Sequence, residues 1–234
     1  MRRVSGVAAV STAVAGVLGL AWFALFLAQP MLGYEDTDDP STGVRFVREH
    51  PQVFAQTGLA LILMALVLVI AVASVAEVQK QTSPRWPIGA TGAAGMLAAL
   101  CFLVFGVMRI GASGPLLHIA GLREDWGEAA YLVVQMAGVQ GVLPAGMLLL
   151  AAWAVGVSVM GLLQGSVPKV VSALGVVPAV HVVGRLVGQA GDLLPGWTWV
   201  ILIVSIPGTL AWCIALGVGL LVRLRRDAAG TVPA

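Results

Sequence analysis

Six long apolar stretches constrain this chain more than any motif does. They cover residues 4–28, 52–78, 88–110, 129–163, 170–189 and 197–224. A helix needs about 20 mostly apolar residues to cross roughly 30 Å of hydrocarbon. The stretches are continuous and do not alternate, which excludes the pattern of barrel strands. In lipid a helix satisfies its own backbone, so helices are the remaining solution. Composition agrees: of 234 residues 59% are hydrophobic and 10% charged, against about 25% charged in a soluble domain. The expectation is an all-α integral membrane protein, a bundle of six transmembrane helices forming one domain over residues 1–226. Residues 227–234 read as a disordered tail.

The polar segments between the stretches differ in sign. Arg2, Arg3, Lys80, Arg85, Lys169, Arg223, Arg225 and Arg226 fall on one side of a six-span topology. Glu35, Asp36, Asp38, Asp39, Glu49, Glu124, Asp125, Glu128 and Asp192 fall on the other. Short cytoplasmic loops carry the excess of Lys and Arg. Both the N and C termini are therefore expected in the cytoplasm of a multi-pass plasma-membrane protein, under an acidic outer face. Arg2 and Arg3 precede an apolar region longer than the 7–15 residues of a secretory signal core, so the first stretch reads as a span.

Within the first outer loop, Val44, Phe46 and Val47 alternate with Arg45, Arg48 and Glu49. That pattern predicts a short amphipathic helix on the membrane surface, ending where Pro51 opens the second span. Residues 129–163 would make one helix of about 50 Å, too long for the hydrocarbon core. Either the helix protrudes outward or Pro144 kinks it. Pro178 and Pro207 lie inside the fifth and sixth stretches and hint at paired broken helices of the transporter type.

Arg185 and His181 are four residues apart and share a helical face. An arginine in hydrocarbon costs at least about 2.5–3.5 kcal/mol, so it needs protein, water or a counter-ion. Asp192, Glu124, Asp125 and Glu128 are the acids within reach on that side. Gln135 and Gln140 in the fourth stretch and Arg109 at the end of the third complete the candidate ligand-binding set. Gly184 and Gly188 read as a close helix-packing face. Cys101 and Cys213 lie at opposite depths, which excludes a disulfide between them.

Other chemistries find little here. No phosphate loop or dinucleotide fingerprint occurs. His50, His118 and His181 lack metal-ligand spacing, and the acidic run Glu35–Asp39 lacks the glycine-pivoted calcium loop. A net charge of +2 with no basic run argues against nucleic acid. No cofactor is expected. Gly111-Ala112-Ser113-Gly114 and His181-x-x-Gly184-x-x-x-Gly188 resemble the motifs of rhomboid intramembrane proteases, which would make Ser113 a nucleophile and His181 its base. The context departs from that family, because Pro115, His118, Arg123, Glu124 and Asp125 follow Ser113 and cannot span.

The run Arg48-Glu49-His50-Pro51-Gln52-Val53-Phe54, the Pro168-Lys169 pair before Leu174-Gly175, and Ile206-Pro207-Gly208 before the basic exit resemble a family of uncharacterised bacterial six-helix membrane proteins of high-GC Gram-positive type. That resemblance implies no activity. The functional expectation is a protein that is not an enzyme. It would bind a lipid-like amphiphile or a partner subunit in an outward-facing crevice, with membrane lipids or a second copy as partners. A small oligomeric permease or channel is the alternative, and an intramembrane serine hydrolase a remote one.

Overall fold

The computed structural model describes residues 2–34, 39–82, 88–189 and 195–229. Every regular element among them is helical, and six helical spans are long and apolar enough to cross a membrane. Helix α1 covers Arg2–Ala28, α2 Pro40–Glu49, α3 Pro51–Thr82 and α4 Ile88–Gly111. Short α5, Leu117–Leu122, and α6, Glu124–Val133, follow. Then come α7, Leu143–Gln164, α8, Lys169–Ala173, α9, Val176–Gln189, and α10, Pro195–Ala229.

The spans run up and down in chain order. Each packs on its neighbour, and α10 returns to α1, closing a ring. Hydropathy alone cannot orient such helices, because they are apolar all round. Thus α3 buries Leu61, Met64 and Leu68 yet exposes Leu59, Leu63, Leu66 and Ile70. Side-chain size decides the inward face. Gly58 and Gly106 meet so closely that a Cβ on either would lie 2.7 Å from the other's carbonyl oxygen. Across α1 and α10, a Cβ on Gly217 would lie 2.7 Å from Ala13 Cβ. Such small-residue contacts let membrane helices gain dispersion contact without a hydrophobic driving force. Trp153 and Trp212 fill the middle edge to face, with centroids 5.9 Å apart. Trp212 Nε1 donates to the Val171 carbonyl at 3.1 Å.

Three prolines reshape the expected spans. The fourth span continues past Pro144 without a break. It runs 41 residues, Glu124–Gln164, with π-helical turns over Val134–Val142 just before Pro144. Proline offers no N–H and crowds the carbonyl four residues back, and a wider turn relieves both. Pro115 sits in a second π-helical turn, Ala112–Leu116. The fifth stretch is not one helix from residue 170 to 189. It divides into α8 and α9 at Leu174-Gly175, where Pro178 would crowd the Leu174 carbonyl. By contrast α10 continues through Pro207, so the two halves do not form a matched pair of broken helices. The last helix also extends to Ala229, so residues 227–229 are helical and not part of a disordered tail.

Helix α2 differs from the sequence expectation in its surroundings. Its apolar side is covered by protein. Val44, Phe46 and Val47 are buried with Phe54, Leu116 and Tyr131 in a hydrophobic cluster separate from the main core. Asp39 caps it, accepting from the Ser41 backbone N–H at 2.9 Å and the Ser41 hydroxyl at 2.9 Å. Those two bonds hold the Asp39 carboxyl below the usual carboxylate range.

Candidate functional site

At the end of the bundle that carries α2, a cavity of about 440 Å³ opens between α1, α4, the π-helical turns, α9 and α10. Aromatic bulk keeps the helices apart there. Trp22, Phe23 and Phe26 of α1 line it, with Val139 and Leu143 of the fourth span and Ile206 of α10. The polar lining comes from Arg109, Arg185, Gln29, Gln135 and Tyr34.

Arg109 lies in the last turn of α4 and is 3% exposed. Its Nε and Nη2 donate to Thr57 Oγ1 at 3.3 and 3.2 Å. Its guanidinium carbon stands 3.8 Å from the centroid of the Phe54 ring, a cation–π contact strengthened by desolvation. Thr57 can accept because its own proton goes to the Val53 carbonyl, 2.9 Å away. Arg185 lies on α9 and is half-buried. Its buried Nε has no hydrogen-bond partner among the described residues. Gln29 is 2% exposed, and its Nε2 likewise lacks a partner. Gln135 Nε2 donates to the Tyr34 hydroxyl at 3.3 Å, and that hydroxyl is 3.0 Å from Tyr131 Oη. This chain ties the loop after α1 to the fourth span at the rim of the cavity.

The structure therefore brings Arg109, Arg185 and Gln135 together and leaves two other candidates out. Gln140 is exposed and does not line the cavity. His181 is 1% exposed and also away from the lining. It serves packing between α9 and α10, with Nδ1 2.8 Å from Ser205 Oγ. Gly184 beside it is buried, as a packing glycine would be.

Of the acids proposed as counter-ions, Glu124, Asp125 and Glu128 do not pair with Arg185. Asp125 takes Arg123 in a two-bond pair, 2.6 and 3.0 Å, because that arginine is two residues away at the same helix start. Glu124 and Asp125 also sit in the first turn of α6, where the helix dipole favours negative charge. Glu128 is half-buried and makes no ion pair among the described residues. Asp192 lies outside the described residues, as do Glu35, Asp36 and Asp38.

Ser113 and His181 do not form a dyad. The Ser113 hydroxyl donates to the Ile110 carbonyl at 2.7 Å, and His181 engages Ser205. Among the described residues no cluster of three His, Cys, Asp or Glu could hold a metal ion. Cys101 and Cys213 are free thiols.

Gln29, Tyr34 and Thr57 escaped the sequence reading. Each sits at the edge of a span, where a polar residue is unremarkable, and only the tertiary fold turns it toward an arginine or a cavity.

Compared with protein-family profiles, curated proteins and solved structures, the chain matches none of them.

Proposed function

We propose that this protein binds a lipid-like amphiphile in the cavity beneath α2 and performs no covalent chemistry there. One observation carries the reading. One cavity is lined both by hydrogen-bonding groups, Arg109, Arg185, Gln29 and Gln135, and by the apolar side chains of Trp22, Phe23, Phe26 and Leu143. A ligand with a polar head and an apolar body matches both parts, as small-molecule sites generally combine a mostly apolar wall with a few placed polar groups.

The charge distribution supports an outward-facing position for this site. Arg3, Lys80, Lys169, Arg223, Arg225 and Arg226 belong to the end of the bundle opposite α2, which the positive-inside rule assigns to the cytoplasm. Helix α2, Glu124 and Asp125 then face outward, in a bacterial plasma membrane if the resemblance to six-helix proteins of that origin is taken up.

Native mass spectrometry of the protein released from mild detergent tests the reading. Bound amphiphile is expected on the wild-type protein and its loss in Val139→Trp, which fills the cavity from the π-helical turns. Equal occupancy in the two proteins, with unchanged helicity, overturns the proposal.

A further inference from the structure

We infer that the cavity selects its amphiphile by negative charge, so that the head group is an anion such as a phosphate or carboxylate. This deepens the amphiphile-binding reading and rests on it.

The inference comes from the hydrogen-bonding inventory. Arginine offers five N–H donors and no acceptor. Arg109 spends two nitrogens on a single hydroxyl oxygen, at 3.3 and 3.2 Å, longer than the roughly 2.7–2.9 Å of a bond to a carboxylate or phosphate. Arg185 Nε and Gln29 Nε2 are buried donors with no partner among the described residues. Among the described residues no Asp or Glu lines the cavity. Neither arginine has a carboxylate within ion-pair distance among the described residues.

Two guanidiniums line one cavity, Arg109 almost wholly and Arg185 partly withdrawn from water, and both lose hydration. A buried charge is retained at such a place when it is paired, and an anionic head group supplies the missing pair. Arg109, fixed by Thr57 and the Phe54 ring, acts as a standing positive floor. Arg185, whose buried Nε has no partner among the described residues, makes the direct contact. The aromatic wall beside them requires that the anion carry an apolar chain. The volume of about 440 Å³ sits at the small end of the roughly 300–1,000 Å³ typical of ligand pockets. It admits a head group and the adjoining carbons rather than a whole diacyl lipid.

The test compares three probes on the full chain in a neutral maltoside detergent, by calorimetry. They are oleoyl lysophosphatidic acid, oleoyl lysophosphatidylcholine and inorganic phosphate. The anionic lipid is expected to bind at least about tenfold more tightly than the zwitterionic one with the same chain, the scale of one charge-assisted contact. Arg185→Gln should erase most of that ratio, weakening lysophosphatidic acid far more than lysophosphatidylcholine, whereas Arg185→Lys should retain part of it. Equal binding of the two lipids, insensitive to Arg185→Gln, overturns the charge selection and leaves the amphiphile site standing. Failure of both lipids to bind overturns the amphiphile reading itself. Inorganic phosphate competing as well as the anionic lipid supports the anion site and overturns the need for an apolar chain.

Discussion

The two ends of this bundle share close glycine contacts and differ in what stands beside them. At the end holding the chain termini, helices touch through their smallest residues. Gly217 lies on the backbone of Ala9 and Ala13, and Gly161 against Ser172. The α7–α8 turn begins at Gly165, whose φ of +66° only glycine adopts easily. Arg223 locks that turn by donating to the Gly165 and Ser166 carbonyls at 2.7 and 2.8 Å. At the end holding α2, close glycine contacts persist, as where Gly58 meets Gly106 beside Arg109, but aromatic side chains line a cavity next to them. Pro115 and Pro144 lie in or beside widened turns, and a separate apolar cluster caps the top. Backbones that touch leave no room for a ligand. Backbones held apart by bulk and by wide turns leave a cavity, and the polar residues that line it then lack partners.

That contrast can be broken from either side. Gly217→Leu should have the largest effect, because a side chain there meets the backbone of α1. Overpacking of this kind costs about 1–3 kcal/mol. Thermal unfolding in detergent should show the loss, while lysophosphatidic acid affinity measured below the transition stays near wild type. A selective loss of affinity instead would mean that the ends are not independent.

Gly43→Ala probes the opposite end. Its Cβ would fall on the Tyr131 ring, inside contact distance. The ring borders a small cap and can swing, so the cost should be nearer about 1 kcal/mol. It should appear as faster hydrogen exchange in α2, with no change in α10. Equal exchange in the two proteins would show that the α2 cap is not seated through Tyr131.

Tyr131→Phe removes the hydroxyl that meets Tyr34 and should cost about 0.5–1.5 kcal/mol. The same exchange experiment reads it, and protection of the main core should not move. The smallest effect concerns pH. Asp39 has its carboxyl pKa lowered by the bonds from Ser41, so its support of α2 is complete above the unfolded value of 3.8. It is lost as pH falls through the lower folded value. Exchange in α2 should therefore rise below about pH 4, and Asp39→Asn should flatten that rise.

Much of this fold is legible in one dimension. Whether a segment spans depends on its length and apolarity, and both can be summed along the chain. The cap helix was legible too, since Pro40 and Asp39 mark its start and Val44, Phe46 and Val47 its apolar side. Its neighbours were not, because that side suits a lipid surface and a protein surface equally. Arg109, Arg185 and Gln135 were found because a polar group in an apolar stretch is conspicuous. His181 was conspicuous for the same reason, but it lies away from the cavity lining with its Nδ1 on Ser205 and its buried Nε2 without a partner among the described residues.

The sequence by itself determined that the chain is helical, that six segments can cross a membrane, and that a few polar residues must be explained. The tertiary structure alone decided which of those residues meet. A helix apolar on every face carries no periodic signal for its own rotation. Its orientation is set by where glycines permit contact and where tryptophan, phenylalanine and proline forbid it. Those steric choices, made between segments far apart in the chain, put Arg109 and Arg185 on one cavity and took His181 and Gln140 away from it.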